Sequence, residues 1–276
     1  MNALSLYSQC CAKIAKLVTK EYSTSFSRAI HLLHPSLHKP IYGIYGFVRL
    51  ADEIVDTFYH QNQNVIFREF CQEVEKALRL KFSLNPVLHA FQEVVHAYNI
   101  PREYIDAFLH SMELDLTKHE YTDDEVAIYI YGSAEVVGLM CLCVFVPDFE
   151  EREKLIPYAK KLGSAFQKVN FLRDIQADLQ IRKRIYIPKE LLENGRITEN
   201  TKKRYEEILE QEFQEAQKGI ELLPKSCRKG VQIAHTYFYA LFRKIQRKSV
   251  QEVLEKRIRI NNFHKLTLLA RASLMW

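Results

Sequence analysis

Residues 162–178 read LGSAFQKVNFLRDIQAD, and their spacing decides how the chain folds. Asn170, Asp174 and Asp178 step by four and Gln167 sits three before Asn170, so on an α-helix these polar groups share one stripe. Phe166, Val169, Phe171, Leu172 and Ile175 fill the remaining turns, which predicts a largely buried helix. Burying carboxylates is costly without a cation beside them, so the stripe points to bound metal. Arg173 points about 100° away, within reach of phosphate oxygens at the stripe's edge. The chain has nine aspartates, and four of them make its only two Asp-x-x-x-Asp pairs, Asp52/Asp56 and Asp174/Asp178. Each pair places two hard oxygen ligands about 6 Å apart on one helix face. Two such patches on one cavity suit Mg²⁺ ions carrying a diphosphate, with Mn²⁺ as a substitute.

The first pair lies in YGFVRLADEIVD (45–56). Arg49, three residues before Asp52, shares its face and is placed to orient a carboxylate or meet phosphate. Glu53 points elsewhere and reads as a solvent-facing or structural carboxylate. The preceding IYGIYGFV (41–48) is apolar and aromatic, so this acidic patch also borders an oily interior.

Outward from these motifs the apolar positions keep a helical period, and alternating strand patterns are nearly absent. Helices are predicted over 3–20, 22–33, 38–60, 64–82, 86–98, 102–117, 123–146, 151–181, 198–221, 227–249 and 251–274. Breaks are expected at Pro35, Pro40, Asn85-Pro86, Pro101, Pro147-Asp148, Pro188 and Asn194-Gly195, with Pro224 near a last turn. The expectation is an all-α fold: one domain over residues 1–276, without repeats or low-complexity tracts; the family resemblance given below implies a central active-site cavity within it.

Composition agrees. The 276 residues are 47% hydrophobic and 26% charged, which is ordinary for a globular chain with a substantial core, and no Pro/Gly/Ser-rich linker divides them. The six cysteines lack Cys-x-x-Cys pairs and zinc-type His companions, so they read as buried thiols in a reducing compartment. The N-terminal stretch lacks the apolar core and small-residue cleavage site of a secretory leader. The longest uncharged apolar run, Val136–Val146, is about half the roughly 20 residues that cross a bilayer. A cytoplasmic protein is expected, with peripheral membrane contact. The net charge is +5, concentrated between Arg243 and Arg271, where nine Lys/Arg face only Glu252 and Glu255. Such a basic end attracts anionic lipid, nucleic acid or diphosphate. No nucleic-acid motif accompanies it, so no nucleic-acid partner is expected.

Five segments, in order, carry a family resemblance over nearly the whole chain: YSTSFSRAI (22–30), YGFVRLADEIVD (45–56), YIYGSAEVVGLM (129–140), LGSAFQKVNFLRDIQAD with RIYIP (184–188), and TYFYALFRKI (236–245). Together they resemble the squalene/phytoene synthases, the head-to-head branch of the trans-isoprenyl diphosphate synthases. GSAEVVGLM and AFQKVNFLRD are most similar to the bacterial phytoene synthases of that family. Three positions depart from the family pattern: Glu53 where a second Asp is usual, Ala177 where Glu precedes the last Asp, and Glu135 where Gly often follows Ala.

The resemblance implies the helical isoprenoid synthase fold and a Mg²⁺-dependent prenyltransferase. Two prenyl diphosphates are joined through a cyclopropylcarbinyl diphosphate, which ionises again and rearranges. It implies Asp52, Asp56, Asp174, Asp178 and Asn170 as metal ligands. Ser23, Ser25, Phe26, Arg49, Gln167, Arg173, Tyr186 and Lys265 are implied as substrate contacts, and Tyr129 and Tyr237, with Tyr186, as groups that steer the diphosphate or stabilise carbocations. Gly132, Ser133, Ala134 and Gly138 make a small-residue face that either opens a channel for the tail or lets helices pack closely. Ile30 lies near that channel, and a branched aliphatic there favours C20 tails. The expected reaction is therefore two geranylgeranyl diphosphates to phytoene, for carotenoid biosynthesis, without NADPH. The alternatives are squalene or dehydrosqualene synthesis from farnesyl diphosphate, and a non-catalytic binding member of the same fold.

Overall fold

In the computed structural model, which describes residues 3–118, 120–182, 184–261 and 267–268, the chain is built from helices, with no strand among the described residues. In order they are α1 Ala3–Tyr22, α2 Thr24–His31, α3 Pro35–Asp56, α4 Gln63–Leu80, α5 Pro86–Ala97, α6 Arg102–Thr117, α7 Asp123–Ile130, α8 Val136–Phe145, α9 Phe149–Glu153, α10 Ile156–Ala177, α11 Glu199–Leu222, α12 Lys225–Gln246 and α13 Val250–Glu255. Local chemistry sets many of the starts. Ser23, Asn62, Asn85, Thr122, Asp148, Thr198 and Ser249 each accept a backbone N–H from the first turn that follows.

Three expectations of the sequence are corrected. Pro40 does not break α3; the helix starts at Pro35 and runs through a buried Pro40, so packing outweighs a local cost of about 3 kcal/mol. The predicted helix over 251–274 is interrupted after Glu255; Thr267 and Leu268 are helical again, and 262–266 and 269–276 lie outside the described residues. Lys256 leaves the helix in extended backbone, and beyond it Ile258 is buried while Arg257 and Arg259 are exposed. The cysteines are also not uniformly buried: Cys11, Cys143 and Cys227 are, Cys71 and Cys141 are half-buried, and Cys10 is exposed.

α3 packs against α1, α5, α6 and α8, and Phe47 at its centre stacks on Phe91 with ring centroids 3.9 Å apart. α10 organises the other half, against α8, α11, α12 and α13. Between α7 and α8 lies a π-helical turn, Tyr131–Glu135, which carries the small residues Gly132, Ser133 and Ala134. A second π turn, Asp178–Arg182, ends α10. The continuous stretch Asp123–Phe145 is long and apolar enough to cross a bilayer by length and composition, but half of its most apolar window is buried against the fold.

Candidate active site

Between the α3 and α10 halves lies a cavity of about 360 Å³. Its walls are almost wholly apolar: Ile30 and Leu33 from α2 and its end, Ile41, Ile44 and Val48 from α3, Val137 and Leu142 from α8, Leu162 and Phe166 from α10, Ile220 from α11, and Val231 and Phe238 from α12. The charged and amide groups on it are Arg49 and Asp52 from α3 and Gln167 and Asn170 from α10, all toward the C-terminal ends of their helices. From Asn170 back to Leu155 the α10 wall runs about 22 Å at 1.5 Å per residue. The cavity is thus a long oily slot with polar groups near one end.

Small residues make the slot. Ser133, Ala134 and Gly138 line it, whereas Gly132 faces α6, where a Cβ would come within 2.3 Å of the Ala107 carbonyl oxygen. The small-residue face therefore serves both channel and packing, divided by the π turn. Glu135 does not line the cavity; it lies among Lys160, Lys161, Lys168 and Glu212, and burial raises its carboxyl. Ala177 is likewise off the wall.

At the polar end, arginines hold the acids. Arg49 donates from Nη1 to Asp52 and from Nη2 to Glu53, beneath the Tyr22 ring 4.5 Å away. Glu53 is 8% exposed, which makes it the structural carboxylate of the two roles read from sequence. Arg173 donates Nε and Nη2 to Asp174 at 3.0 and 2.5 Å. Arg257, delivered by the segment after α13, adds an ion pair to Asp174 at 2.6 Å. The only sequence signal for Arg257 was the excess of positive charge near the C-terminus. Asp56 is the half-buried last residue of α3, and Asp178 is buried just past α10.

Among the described residues no three His, Cys, Asp or Glu side chains are drawn together as around a metal. Asn170 Oδ1, however, is buried and accepts no hydrogen bond. An oxygen desolvated without a donor costs free energy unless something completes it. With Asp52 on the same cavity and Asp174 one turn along α10, the donor set fits a hard divalent cation.

The remaining sequence-selected residues divide. Phe26 lines the cavity inside a ring of aromatics, 5.6 Å from Tyr45, 5.8 Å from Phe238 and 6.4 Å from Phe166, and Phe166 and Phe238 stack at 3.9 Å. Ser23 caps α2 through the Phe26 N–H, and Ser25 is half-buried on that helix's first turn. Tyr237 points away from the cavity onto Ala29 and Ile233 beside Arg28; its neighbour Phe238, about 100° round α12, faces inward. Tyr129 and Tyr186 are also off the cavity wall. Their hydroxyls donate to Asp115 on α6 at 2.7 and 2.6 Å, a residue the sequence reading did not select. Lys265 lies outside the described residues.

Comparison with known proteins follows the geometry. The family model for squalene/phytoene synthase matches residues 19–264. Phytoene synthase from Arthrospira platensis is 26% identical over 95% of this chain and 92% of its own length. The chloroplastic phytoene synthase 2 of Oryza sativa subsp. japonica is 31% identical over 76% of this chain. The chain spans only about half the length of the plant relatives it matches, 57% for rice and 46% for maize. Presqualene diphosphate synthase from Rhodopseudomonas palustris is 29% identical over 63% of this chain and 62% of its own length. Among solved structures, a dehydrosqualene synthase superposes with a TM-score of 0.81 at 22% identity, covering 97% of both chains. Squalene synthase HpnC from Alicyclobacillus acidocaldarius gives 0.77 at 20% identity, covering 88% of this chain and 95% of its own. These superpositions are of the helical isoprenoid synthase fold.

Proposed function

We propose that this chain, which belongs to the squalene/phytoene synthase family, condenses two geranylgeranyl diphosphates head to head, through a cyclopropylcarbinyl diphosphate, to phytoene and diphosphate. The observation that carries the reading is the slot itself, with hard-oxygen and guanidinium groups near one end of a long water-excluding apolar cavity. Its similarity to phytoene synthases, one of them matched over 95% of this chain, favours the C20 substrate over C15. So does Ile30, which is 3% exposed and lies on the cavity wall as a branched aliphatic.

Asp52, Asp56, Asn170, Asp174 and Asp178 would hold Mg²⁺. The bound ions would supply Lewis-acid stabilisation of the departing diphosphate. Arg49, Arg173 and Arg257 now neutralise the acids. With bound cations beside the acids, the guanidiniums would meet the phosphate oxygens, for which their planar fork is shaped. Phe26, Phe166, Phe238 and Tyr45 line the cavity near the polar groups, where an allylic carbocation would gain from the aromatic quadrupoles. Apolar walls beyond them keep water from capturing it. No step requires a reductant, so NADPH has no part in this reading. The basic segment from Arg243 onward is proposed to rest on anionic membrane, where a hydrocarbon product would leave; salt-sensitive binding to anionic vesicles tests this.

The deciding experiment is product analysis with farnesyl and with geranylgeranyl diphosphate, with and without NADPH. A C40 product without NADPH is expected; a C30 product alone overturns the choice of substrate. Asp52→Asn and Asp174→Asn should abolish Mg²⁺-dependent diphosphate release. Release from wild type that these changes leave unaltered would overturn the assigned site, and no release from wild type would favour a non-catalytic binding member.

A further inference from the structure

We infer that Asp115 is a positioning residue for the diphosphate site, an inference that rests on the reading above. Asp115 lies on α6, off the cavity wall and 5% exposed, yet three hydroxyls and a guanidinium converge on it. Its carboxylate accepts hydroxyls from Tyr186 at 2.6 Å, Tyr129 at 2.7 Å and Tyr121 at 3.2 Å. Arg184 forms an ion pair with it at 3.3 Å and donates from Nη2 to its backbone carbonyl. Oδ1 meets Tyr186, Tyr121 and the Arg184 guanidinium while Oδ2 accepts from Tyr129, so both carboxylate oxygens are engaged.

The four donors come from two regions of chain, one entering α7 and one leaving α10. Tyr121 belongs to the connection before α7 and Tyr129 to α7, just before the π turn that shapes the cavity wall. Arg184 and Tyr186 follow the π turn that ends α10. Arg184 also donates its backbone N–H to the Asp178 carbonyl at 2.8 Å. The Tyr186 ring lies flat on Phe171, centroids 4.5 Å apart and planes 2° apart, one turn before Asp174. Asp178 and the turn carrying Asp174 are therefore both tied to residues whose other ends are fixed on Asp115. From the other side, α6 itself packs against α3, the helix that carries Asp52 and Asp56. One buried carboxylate thus sets the end of α10 relative to the end of α3, where the two acidic pairs must meet a shared ligand.

A buried ion pair is weak evidence for stability, since a matched apolar pair often serves as well. What an apolar pair cannot do is satisfy three buried phenols in one geometry. The test separates these roles. Asp115→Asn is compared with Asp115→Leu/Arg184→Met, which removes both charges together and keeps the fold available if the single change does not. Binding of Mg²⁺ with inorganic diphosphate is measured by calorimetry well below each melting temperature. The tyrosine near-UV circular dichroism and the split of kcat from KM are recorded alongside. We expect the folded double variant to lose at least tenfold in Mg²⁺-diphosphate affinity and in kcat, with an altered tyrosine signal and little change in the dependence on tail length. A folded double variant that binds Mg²⁺-diphosphate like wild type overturns the inference and leaves the reaction standing. Wild type that binds none overturns both.

Discussion

Gly163 offers a test of how the cavity wall is held. It lies on α10 against the π turn, and a Cβ there would come 2.7 Å from the Ala134 carbonyl oxygen and 2.9 Å from Glu135 Cα. Both are backbone atoms, so no side chain can swing aside. Restoring ordinary contact requires the turn to move by roughly half an ångström, and overpacking of this kind costs about 1–3 kcal/mol. Ala in a helix interior returns about 0.5–1 kcal/mol relative to Gly. The net loss for Gly163→Ala is about 1–2 kcal/mol, or a fall in Tm of about 3–6 °C in a chain of this size. Because Ser133 and Ala134 form the wall that moves, turnover should fall further than stability does, by about tenfold or more. Gly195→Ala is the matched control. Its φ is +71° with nothing within 4 Å, so it loses about 1 kcal/mol to backbone strain, off the cavity wall. Thermal denaturation and steady-state turnover of both variants decide. If Gly163→Ala matches Gly195→Ala in both, or is stabilised, the wall is not set by that contact and the reasoning fails.

Asn170→Leu should leave Tm unchanged or slightly higher, because it removes a buried oxygen without a donor, yet weaken Mg²⁺-diphosphate binding at least tenfold by calorimetry. Ile30→Phe should lower the ratio of C20 to C15 turnover, read by product chromatography, since the added ring enters the cavity. Burial holds His89 and His235 below the usual imidazole value of about 6.5. On acidification the unfolded chain therefore takes up these protons first, and stability falls as pH drops below about 6.5 toward the depressed folded values. Denaturant melts from pH 7.5 to 5 should show that slope, and His235→Gln should flatten it. Arg49→Met strands Glu53, a change that costs about 3 kcal/mol for a buried carboxylate. Adding Glu53→Leu should recover most of the lost Tm.

Helices and the residues at their ends were legible because capping is local. Asn85 before Pro86 and Thr122 before Asp123 mark starts that the structure keeps. Gln167 and Asn170 were legible as a stripe because residues three or four apart on a helix share a face. Tyr237 against Phe238 was not, because neighbouring positions differ by a rotation that only the packing of α12 on α2 decides.

By itself the sequence determined an all-α chain with two acidic pairs on helical faces, since helical period, caps and i,i+4 spacing are properties of the local chain. Tertiary structure alone decided what those faces meet. It interrupted the predicted C-terminal helix after Glu255 and brought Arg257, 83 residues distant, onto Asp174. It divided the small residues between channel and helix contact by one π turn, and gathered three tyrosines and Arg184 on Asp115. These depend on groups far apart in the chain, whose meeting is fixed only when the cores around α3 and α10 close together.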